Sequence, residues 1–320
     1  MTTQQRKNAW DVAIIGGGSA GLSAALTLTR ARRSVLVVDS GAPRNAAASA
    51  VHGLLGLEGT SPLELLSKGR SEIARYGAKI VHSVVAQASG SSEEGFELQL
   101  DDGSTHRASQ LIIATGVTDD LPQLSGLADR WGRDVVHCPY CHGWEIRDQR
   151  IGVLATGPMS AMQALLFSQW STNLTFLVNE VEIPAEHLDA LRSVDAIIVP
   201  GSVQNLDITN DQLTGVVLHD GTQVPLDALA VSTQVVARLD GLGALALDTT
   251  ENAMGVAVRT DEAGRTSVPG VWATGNVMGP WMQVSEAAAH GARVAMTINT
   301  EMALARAGLT MPAPATQKGS

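Results

Sequence analysis

The sequence predicts an α/β protein with two Rossmann-like, three-layer domains. An apolar strand from Asp11 to Ile15 leads into a glycine turn and an alanine-rich helix, the order of elements that opens a nucleotide-binding fold. A second stretch with the same order of strand, turn and helix begins at Ile151. The length of 320 residues also corresponds to about two domains.

The composition is that of a globular protein with substantial cores, since 44% of the residues are hydrophobic and 17% are charged. A net charge of -10 argues against nucleic acid and anionic membranes as partners, because both reward basic patches. No apolar run approaches the roughly 18 residues of a membrane span, and no apolar signal core precedes the first strand. We therefore expect a cytoplasmic protein without a membrane or nucleic-acid partner.

The first glycine turn carries the full G-x-G-x-x-G spacing. Gly16 is needed for the tight turn, Gly18 lets the backbone approach a pyrophosphate, and Gly21 allows close helix packing. The following helix then presents unpaired amides and its positive dipole to the phosphates. A second strand, Val35 to Val38, ends in Asp39, which is placed to accept a hydrogen bond from a ribose hydroxyl. This combination predicts a dinucleotide site.

The next stretch alternates between helix and strand patterns. Helical spacing runs from Ser61 to Tyr76, with Ser61 as the expected N-cap. Two segments have strand patterns, Lys79 to Ala88 and Phe96 to Leu100, and Asp101 to Gly103 forms a hairpin turn after the second.

Two further small turns are expected near the cofactor. The apolar run from Leu111 ends in Ala114 to Gly116, and the stretch Val268 to Asn276 is a short strand that leads into a glycine turn. A helix is predicted to start near Gln283. The residues after Ala303 are polar with two prolines, so we expect a frayed tail there.

Cys138 and Cys141 are the only two cysteines, and their C-x-x-C spacing leaves three chemistries open. The pair can close a disulfide reversibly, can help to hold a metal, or, with the adjacent His142, can attach haem covalently. A metal site needs further ligands, whereas haem attachment requires export and an axial partner. We therefore predict a redox-active pair and no metal.

The second glycine turn has lost most of the fingerprint. Its three key positions hold Ala155, Gly157 and Ser160, and Pro158 removes one amide from the loop that would cradle phosphate. The strand after it leads into the acidic stretch Asn179 to Glu182, without an arginine to hold the 2'-phosphate of NADPH. A retained fold with a weakened or lost nicotinamide site is the prediction.

The order of these motifs carries a family resemblance. It is seen in Gly16 to Gly21 with Asp39, Arg44-Asn45, Ala114 to Gly116, Cys138 to Cys141, and Ala273 to Asn276 followed by Gln283. The chain resembles the low-molecular-weight thioredoxin reductases. Within them it is most similar to the thioredoxin reductase-like, FAD-dependent dithiol oxidases of holomycin and gliotoxin biosynthesis, because a histidine follows the cysteine pair where reductases carry Asp.

The resemblance implies a homodimer with FAD as cofactor and a discontinuous FAD domain, residues 1–117 and 244–320. Residues 118–243 would form the inserted, nucleotide-binding-like domain with the cysteine pair, and about 304–320 a flexible tail. Asn276 stands where reductases usually carry Asp. The residues expected at FAD are Gly16, Gly18, Ser19, Ala20, Gly21, Asp39, Ser40, Arg44, Asn45, Ala114, Thr115, Gly116, Gly275, Asn276, Gln283 and Val284.

The resemblance also implies an activity. Cys138 would exchange with a small-molecule dithiol and Cys141 would lie next to the flavin, with O2 as the final acceptor and hydrogen peroxide as its product. The thiols need a base, for which His142 and His290 are the candidates; the alternatives are that His142 caps a helix and that His290 is a packed helix residue. The alternative function is reduction of thioredoxin or a similar disulfide. The sequence leaves the identity of the dithiol open.

Overall fold

A computed structural model describes residues 9–252 and 254–310. Its strands are β1 (Trp10–Ile15), β2 (Val35–Asp39), β3 (Lys79–His82), β4 (Val85–Ser91), β5 (Gly95–Leu100), β6 (Thr105–Ile113), β7 (Val117–Asp120), β8 (Val135–Val136), β9 (Ile151–Leu154), β10 (Leu174–Leu177), β11 (Ile197–Val199), β12 (Val203–Thr209), β13 (Gln212–Leu218), β14 (Gln223–Pro225), β15 (Ala228–Val231), β16 (Gln234–Ala237), β17 (Thr249–Asn252), β18 (Gly255–Val258) and β19 (Val271–Ala273). Its α-helices are α1 (Ser19–Arg30), α2 (Pro62–Arg75), α3 (Leu127–Arg130), α4 (Pro139–His142), α5 (Ser160–Phe167), α6 (Ala185–Ser193) and α7 (Val284–Arg306).

The first sheet joins the two ends of the described chain. Its order is β3-β2-β1-β6-β5-β4, and β19 pairs in parallel with β6 through Val271 and Leu111. Both faces of β1 are buried, because Val12, Ala13 and Ile14 alternate between two apolar cores. A strand buried on both faces needs a continuous apolar run, which explains the pattern that predicted it.

Helices α1 and α7 pack closely against each other beside this sheet. A Cβ atom on Gly291 would lie 2.1 Å from the carbonyl oxygen of Ala20, so only glycine permits this approach. The contact brings the N-termini of both helices to the carboxyl edge of the sheet. This is the edge at which open parallel sheets bind their ligands.

The second sheet lies within the part of the chain between β7 and β16. It is parallel throughout, in the order β11-β10-β9-β15-β8, and the antiparallel strands β12-β13-β14 form a separate small sheet. Strands β7 and β16 pair antiparallel and carry the chain into and out of this region. Two Rossmann-like units are therefore present, as predicted, while their residue boundaries at 117 and 243 stay a prediction.

Most of the predicted elements are confirmed, and three details differ. The strand expected over Lys79–Ala88 is divided into β3 and β4, because Asp101 accepts hydrogen bonds from the backbone N–H of Val84 and from the hydroxyl of Ser83 and so holds a turn there. Ser61 precedes α2 without a capping hydrogen bond from its side chain.

The end of the chain also differs from the prediction. Helix α7 continues to Arg306, three residues into the stretch expected to be frayed from 304 onward. Residues 311–320 of that stretch lie outside the described residues. Among residues 9–252 and 254–310, none of the helices has the length and hydrophobicity to cross a membrane.

Candidate active site

The first glycine turn has the geometry that its spacing predicts. Gly16 has a φ of 108°, and a Cβ on it would lie 2.2 Å from the carbonyl oxygen of Ala114. A Cβ on Gly21 would lie 2.0 Å from the carbonyl oxygen of Gly16, so α1 packs directly on the turn. A Cβ on Gly18, in contrast, would meet no protein atom within 4 Å. Gly16 and Gly21 thus serve the fold, whereas Gly18 faces open space.

Asp39 sits at the end of β2, where the sequence places it. Its Oδ1 accepts a hydrogen bond from the Gly17 backbone N–H at 3.1 Å, and its Oδ2 lies 3.6 Å from Nη1 of Arg70. The carboxylate is buried at the rim of the turn. This arrangement holds an acceptor beside the phosphate cradle, the position that suits a ribose hydroxyl.

One cavity of about 630 Å³ brings the predicted site together. It is lined by both cysteines, by His142 and by every residue expected at FAD except Gly21: Gly16, Gly18, Ser19, Ala20, Asp39, Ser40, Arg44, Asn45, Ala114, Thr115, Gly116, Gly275, Asn276, Gln283 and Val284. The redox pair and the cofactor residues therefore share one space, although Gly16 and Gly275, for example, lie more than a hundred positions from Cys138 in the chain. His290 is not part of this lining.

The cavity fits a phosphate-bearing dinucleotide on three observations. The hydroxyl of Thr115 is buried and finds no hydrogen-bond partner among the described residues. The turn at Gly18 is open, and helix α1 begins at the cavity without a hydrogen bond from a capping side chain to its N-terminal amides. Unpaired amides at a helix N-terminus attract anionic groups such as a pyrophosphate.

Asn276 has a local reason to differ from Asp. Its Nδ2 donates to the carbonyl oxygens of Gly279, Pro280 and Met282 at 3.1, 3.2 and 2.9 Å. A carboxylate cannot donate and would place negative charge against three acceptors. The asparagine amide therefore folds the loop that carries Trp281 into the cavity lining.

Arg44 links the cofactor loop to the entry strand of the inserted region. Its guanidinium makes a bidentate pair with Asp119 on β7, at 2.7 and 2.5 Å, and the Thr233 hydroxyl donates to the same carboxylate at 2.8 Å. The hydrogen bond from Arg44 and its positive charge hold the pKa of Asp119 below its usual value against the opposing effect of burial. Arg44 thus joins three segments of chain at the cavity wall.

The redox pair lies at the start of the short helix α4. Cys138 is its N-cap residue, and the sulfur atoms of Cys138 and Cys141 lie 2.6 Å apart. Gly143 lies directly against the indole ring of Trp170 at the end of the helix. A Cβ atom on Gly143 would lie only 2.6 Å from Cδ2 of Trp170, so this contact requires glycine. Gln163 on α5 donates to the carbonyl oxygen of His137 at 2.6 Å, which anchors the residue before the pair.

The two thiols differ in acidity. A hydrogen bond from Cys141, together with the backbone N–H groups of Cys141 and Tyr140, lowers the pKa of Cys138 to about 7. Donating that hydrogen bond, together with burial, raises the pKa of Cys141 above its ordinary value. In the reduced pair Cys138 is therefore the thiol that loses its proton first, near neutral pH, while Cys141 keeps its proton.

His142 follows the pair directly and lines the cavity. Its Nδ1 is buried and has no hydrogen-bond partner among the described residues. Burial lowers the pKa of His142, and the nearby Glu145 carboxylate opposes this effect. A neutral imidazole with a free ring nitrogen can accept a proton.

The structure does not bring His290 to the cavity. Its Nδ1 is hydrogen-bonded to Oγ1 of Thr274 at 2.7 Å, and both side chains are buried next to the glycine turn that begins at Gly275. This orientation follows from the close packing of α7 on α1 at the next residue, Gly291. His290 thus makes no contact with the redox pair that would let it act as the expected base. Its position is that of a packed helix residue, the alternative given above.

The second glycine turn is closed by the protein's own side chains. The hydroxyl of Ser160 accepts hydrogen bonds from the backbone N–H groups of Thr156 and Gly157, at 3.0 and 3.3 Å. Asn179 bridges the two strand ends, donating to the carbonyl oxygen of Ala155 at 3.2 Å and accepting from the backbone N–H of Val203 at 3.0 Å. The amides that would hold a pyrophosphate are therefore already paired.

Sequence reasoning missed two histidines of the cavity lining. His52 lies at the cavity, and its Nε2 is 3.4 Å from Oε1 of Glu145 in the redox segment. His137 lines the cavity as well, with Nδ1 3.1 Å from the carbonyl oxygen of Val231. A lone histidine in a loop has no spacing pattern, so no sequence signal could have found His52.

Comparison with known proteins identifies the family. Residues 10–291 match the family described as pyridine nucleotide-disulphide oxidoreductase. The chain belongs to this family. It is an FAD-binding family, and FAD is therefore the cofactor, as predicted.

The relatives narrow the family to thioredoxin reductase-like flavoenzymes. Thioredoxin reductase tcpT of Claviceps purpurea (strain 20.1) is 35% identical over 84% of this chain and 87% of its own length. Thioredoxin reductase aclD of Aspergillus oryzae is 30% identical over 92% and 96%. The protein is an enzyme of the flavin-dependent thiol/disulfide oxidoreductase class.

Two solved structures are similar over nearly the whole chain. HlmI has a TM-score of 0.87 at 38% identity, covering 94% of each chain. The oxidoreductase from Agrobacterium tumefaciens has a TM-score of 0.87 at 37% identity, covering 92% of this chain and 99% of the other. These similarities confirm the two-unit Rossmann-like fold that the sequence predicted.

Proposed function

We propose that this flavoenzyme oxidises a small-molecule dithiol to an intramolecular disulfide through Cys138 and Cys141, with O2 as the final electron acceptor and hydrogen peroxide as the second product. The observation that carries the proposal is the second glycine turn, where Ser160 occupies the amides that a nicotinamide cofactor would need. The redox pair, in contrast, opens into the same cavity as the cofactor residues. Electrons are thus expected to enter from the thiol side.

The steps by which the chain's own residues act follow from the site. Neutral His142 takes the proton of one substrate thiol, and the resulting thiolate attacks the sulfur of Cys138. The bond between Cys138 and Cys141 breaks, and Cys141 leaves with its electron pair. The second substrate thiol loses its proton to solvent, and its thiolate attacks the substrate sulfur of the mixed disulfide, which closes the substrate disulfide and releases Cys138 as a thiolate.

This exchange leaves two electrons on the cysteine pair. FAD, held by the residues around the first glycine turn, would supply the two-electron chemistry by which the Cys138–Cys141 disulfide re-forms and the electrons reach O2, which with two protons gives hydrogen peroxide. The pKa of about 7 at Cys138 suits its role, because a thiol of moderate acidity both attacks and leaves readily near neutral pH. The base role is assigned to His142, while the contact of His290 with Thr274 points to support of the glycine turn at Gly275.

The alternative function is reduction of thioredoxin or a similar disulfide. It is favoured by the names of the relatives, which are thioredoxin reductases. It would require an electron donor that reduces the flavin without binding at the second glycine turn, whose amides are already paired. A homodimer and a cytoplasmic location belong to the same proposal and are supported by the resemblance.

Steady-state turnover tests the proposal. The holoenzyme is mixed in air with a reduced small dithiol, and oxygen consumption, peroxide and substrate disulfide are measured together. We expect one peroxide for each disulfide formed, and no turnover in Cys138→Ser. Consumption of NADPH with reduction of a protein disulfide, and no oxygen uptake with any dithiol, would support the reductase instead.

A further inference from the structure

The loop Val51–Thr60 reaches the cavity through Val51 and His52, which are part of its lining. Its base is closed by hydrogen bonds from the Val51 backbone N–H to the Thr60 carbonyl oxygen, at 2.8 Å, and from the Gly59 N–H to the Val51 carbonyl oxygen, at 3.0 Å. A Cβ on Gly53 would lie 3.5 Å from Oε1 of Gln283, so the loop runs beside the start of α7. This loop therefore stands between the cofactor residues and the redox helix.

His52 is the residue through which the loop touches the redox segment. Its Nδ1 lies 2.6 Å from Oε1 of Glu58 within the loop, and its Nε2 lies 3.4 Å from Oε1 of Glu145. The other oxygen of Glu58 accepts from the Gly53 backbone N–H at 2.8 Å, which fixes the orientation of the imidazole. The side chain of His52 is only 21% exposed, so this contact is partly shielded from solvent.

Glu145 in turn belongs to the redox segment. Its backbone N–H donates to the carbonyl oxygen of His142 at 3.1 Å, one turn after the cysteine pair. We propose that His52 is a positioning residue of the dithiol site, which holds the Glu145 carboxylate beside His142 and so ties the loop to the redox helix. This inference rests on the proposed role of His142 as base.

The electrostatics around His142 support the geometry. The groups that face it are Glu145 on its own segment, His52 from the loop and His137 from the strand end before the pair. The Glu145 carboxylate raises the pKa of His142 against burial, whereas the two histidines lower it. A carboxylate held in place therefore keeps His142 a stronger base than burial alone would leave it.

The test uses a matched pair of substitutions in the holoenzyme. His52→Gln keeps an amide donor near the Nε2 position, toward Glu145, whereas His52→Asn keeps one near the Nδ1 position, toward Glu58. Glu145→Gln removes the carboxylate itself, and the double variant His52→Asn/Glu145→Gln tests whether the two act together. His219→Ala, on an exposed turn, is the control. Flavin absorbance and far-UV circular dichroism establish that each variant is folded and loaded.

The first readout is NMR titration of the His142 ring in the oxidised holoenzyme, assigned with His142→Gln, and it requires no turnover. The direct effect of His52, which lowers the pKa of His142, is removed in both His52→Gln and His52→Asn, so these two variants are compared with each other. We expect the pKa of His142 to be lower in His52→Asn than in His52→Gln, to fall in Glu145→Gln, and to fall no further in the double variant than in Glu145→Gln. A pKa in His52→Asn that equals or exceeds that in His52→Gln, or additive effects in the double variant, would overturn the proposal.

The second readout is the pH profile of flavin bleaching by a dithiol in the absence of oxygen. In His52→Asn the acid limb should lie at lower pH than in His52→Gln, with a plateau about two- to fivefold lower, because a weaker base accepts the substrate proton less readily. An acid limb that stays in place would contradict the positioning role. If wild-type flavin is not bleached by dithiols at all, the proposed function fails, while the NMR titration still decides the role of His52.

Discussion

Gly16 and Gly18 lie two residues apart in one turn, and the structure predicts opposite results for their substitution. Gly18 has φ -76° and ψ -173°, an extended conformation that valine adopts without strain, and its Cβ would point into open space. Gly18→Val should therefore leave the apoprotein folded, with a loss of about 1 kcal/mol because valine is a poorer N-cap than glycine. FAD, however, would meet the new side chain at the pyrophosphate.

The expected loss of affinity follows from the hydrogen bonds at stake. If two charge-assisted bonds from amides to phosphate are lost at about 1.5 kcal/mol each, the total of about 3 kcal/mol corresponds to roughly 150-fold weaker binding. Gly16→Ala is the contrast, because its φ of 108° and a Cβ 2.2 Å from the Ala114 oxygen strain the fold itself. A left-handed alanine alone costs about 1–2 kcal/mol, before the overlap is relieved.

The assay combines thermal unfolding of the apoproteins with titration of FAD, followed by flavin fluorescence. Gly18→Val should unfold close to the wild-type temperature and bind FAD weakly, whereas Gly16→Ala should unfold at a distinctly lower temperature. Full FAD affinity in Gly18→Val, or equal destabilisation of the two apoproteins, would refute this account of the turn.

Further expectations concern the cysteines, His142 and Asn276. Iodoacetamide should label Cys138 before Cys141 in the reduced enzyme, with a rate that rises as pH passes through about 7, because deprotonation creates the reactive thiolate; peptide mass spectrometry that finds Cys141 labelled first would contradict this. Cys138→Ser should show a long-wavelength absorbance from a Cys141 thiolate beside oxidised FAD and Cys141→Ser should not, so identical spectra would mean that the order of the sulfurs is wrong. His142→Ala should slow flavin bleaching by about 100-fold or more at neutral pH, and a normal stopped-flow rate across pH 6 to 9 would remove it as the base. Asn276→Asp should destabilise the loop at Gly279, Pro280 and Met282, measured as a lower melting temperature, and an unchanged value would show that its amide does not organise the loop.

The parts of the site that follow a local spacing rule could be predicted from the sequence. The roles of Gly16, Gly18 and Gly21 depend on backbone within one turn, so the spacing alone predicts which glycine packs and which faces the ligand. The weakening of the second turn could likewise be predicted from its spacing. The hydrogen bonds between its amides and Ser160, in contrast, are visible only in the structure.

The contacts between distant segments could not be predicted in this way. Arg44 lines the cavity with the other residues expected at FAD, and the pairing of its guanidinium with Asp119, 75 positions along the chain, has no sequence signal. The meeting of His52 with Glu145 depends on how the inserted region sits over the loop, which no periodicity describes. His290 was expected near the redox pair because it follows the glycine turn in the sequence. The direction of its ring is instead decided by which face of α7 packs on α1.

The central claim is that electrons enter through the cysteine pair and not through a nicotinamide cofactor. Stopped-flow mixing of the oxidised holoenzyme without oxygen, once with a reduced small dithiol and once with NADPH, tests it most directly by flavin absorbance. The account predicts fast bleaching by the dithiol, lost in Cys138→Ser, and no fast bleaching by NADPH. Bleaching by NADPH within milliseconds, with none by any small dithiol, would contradict it and would make the protein a reductase.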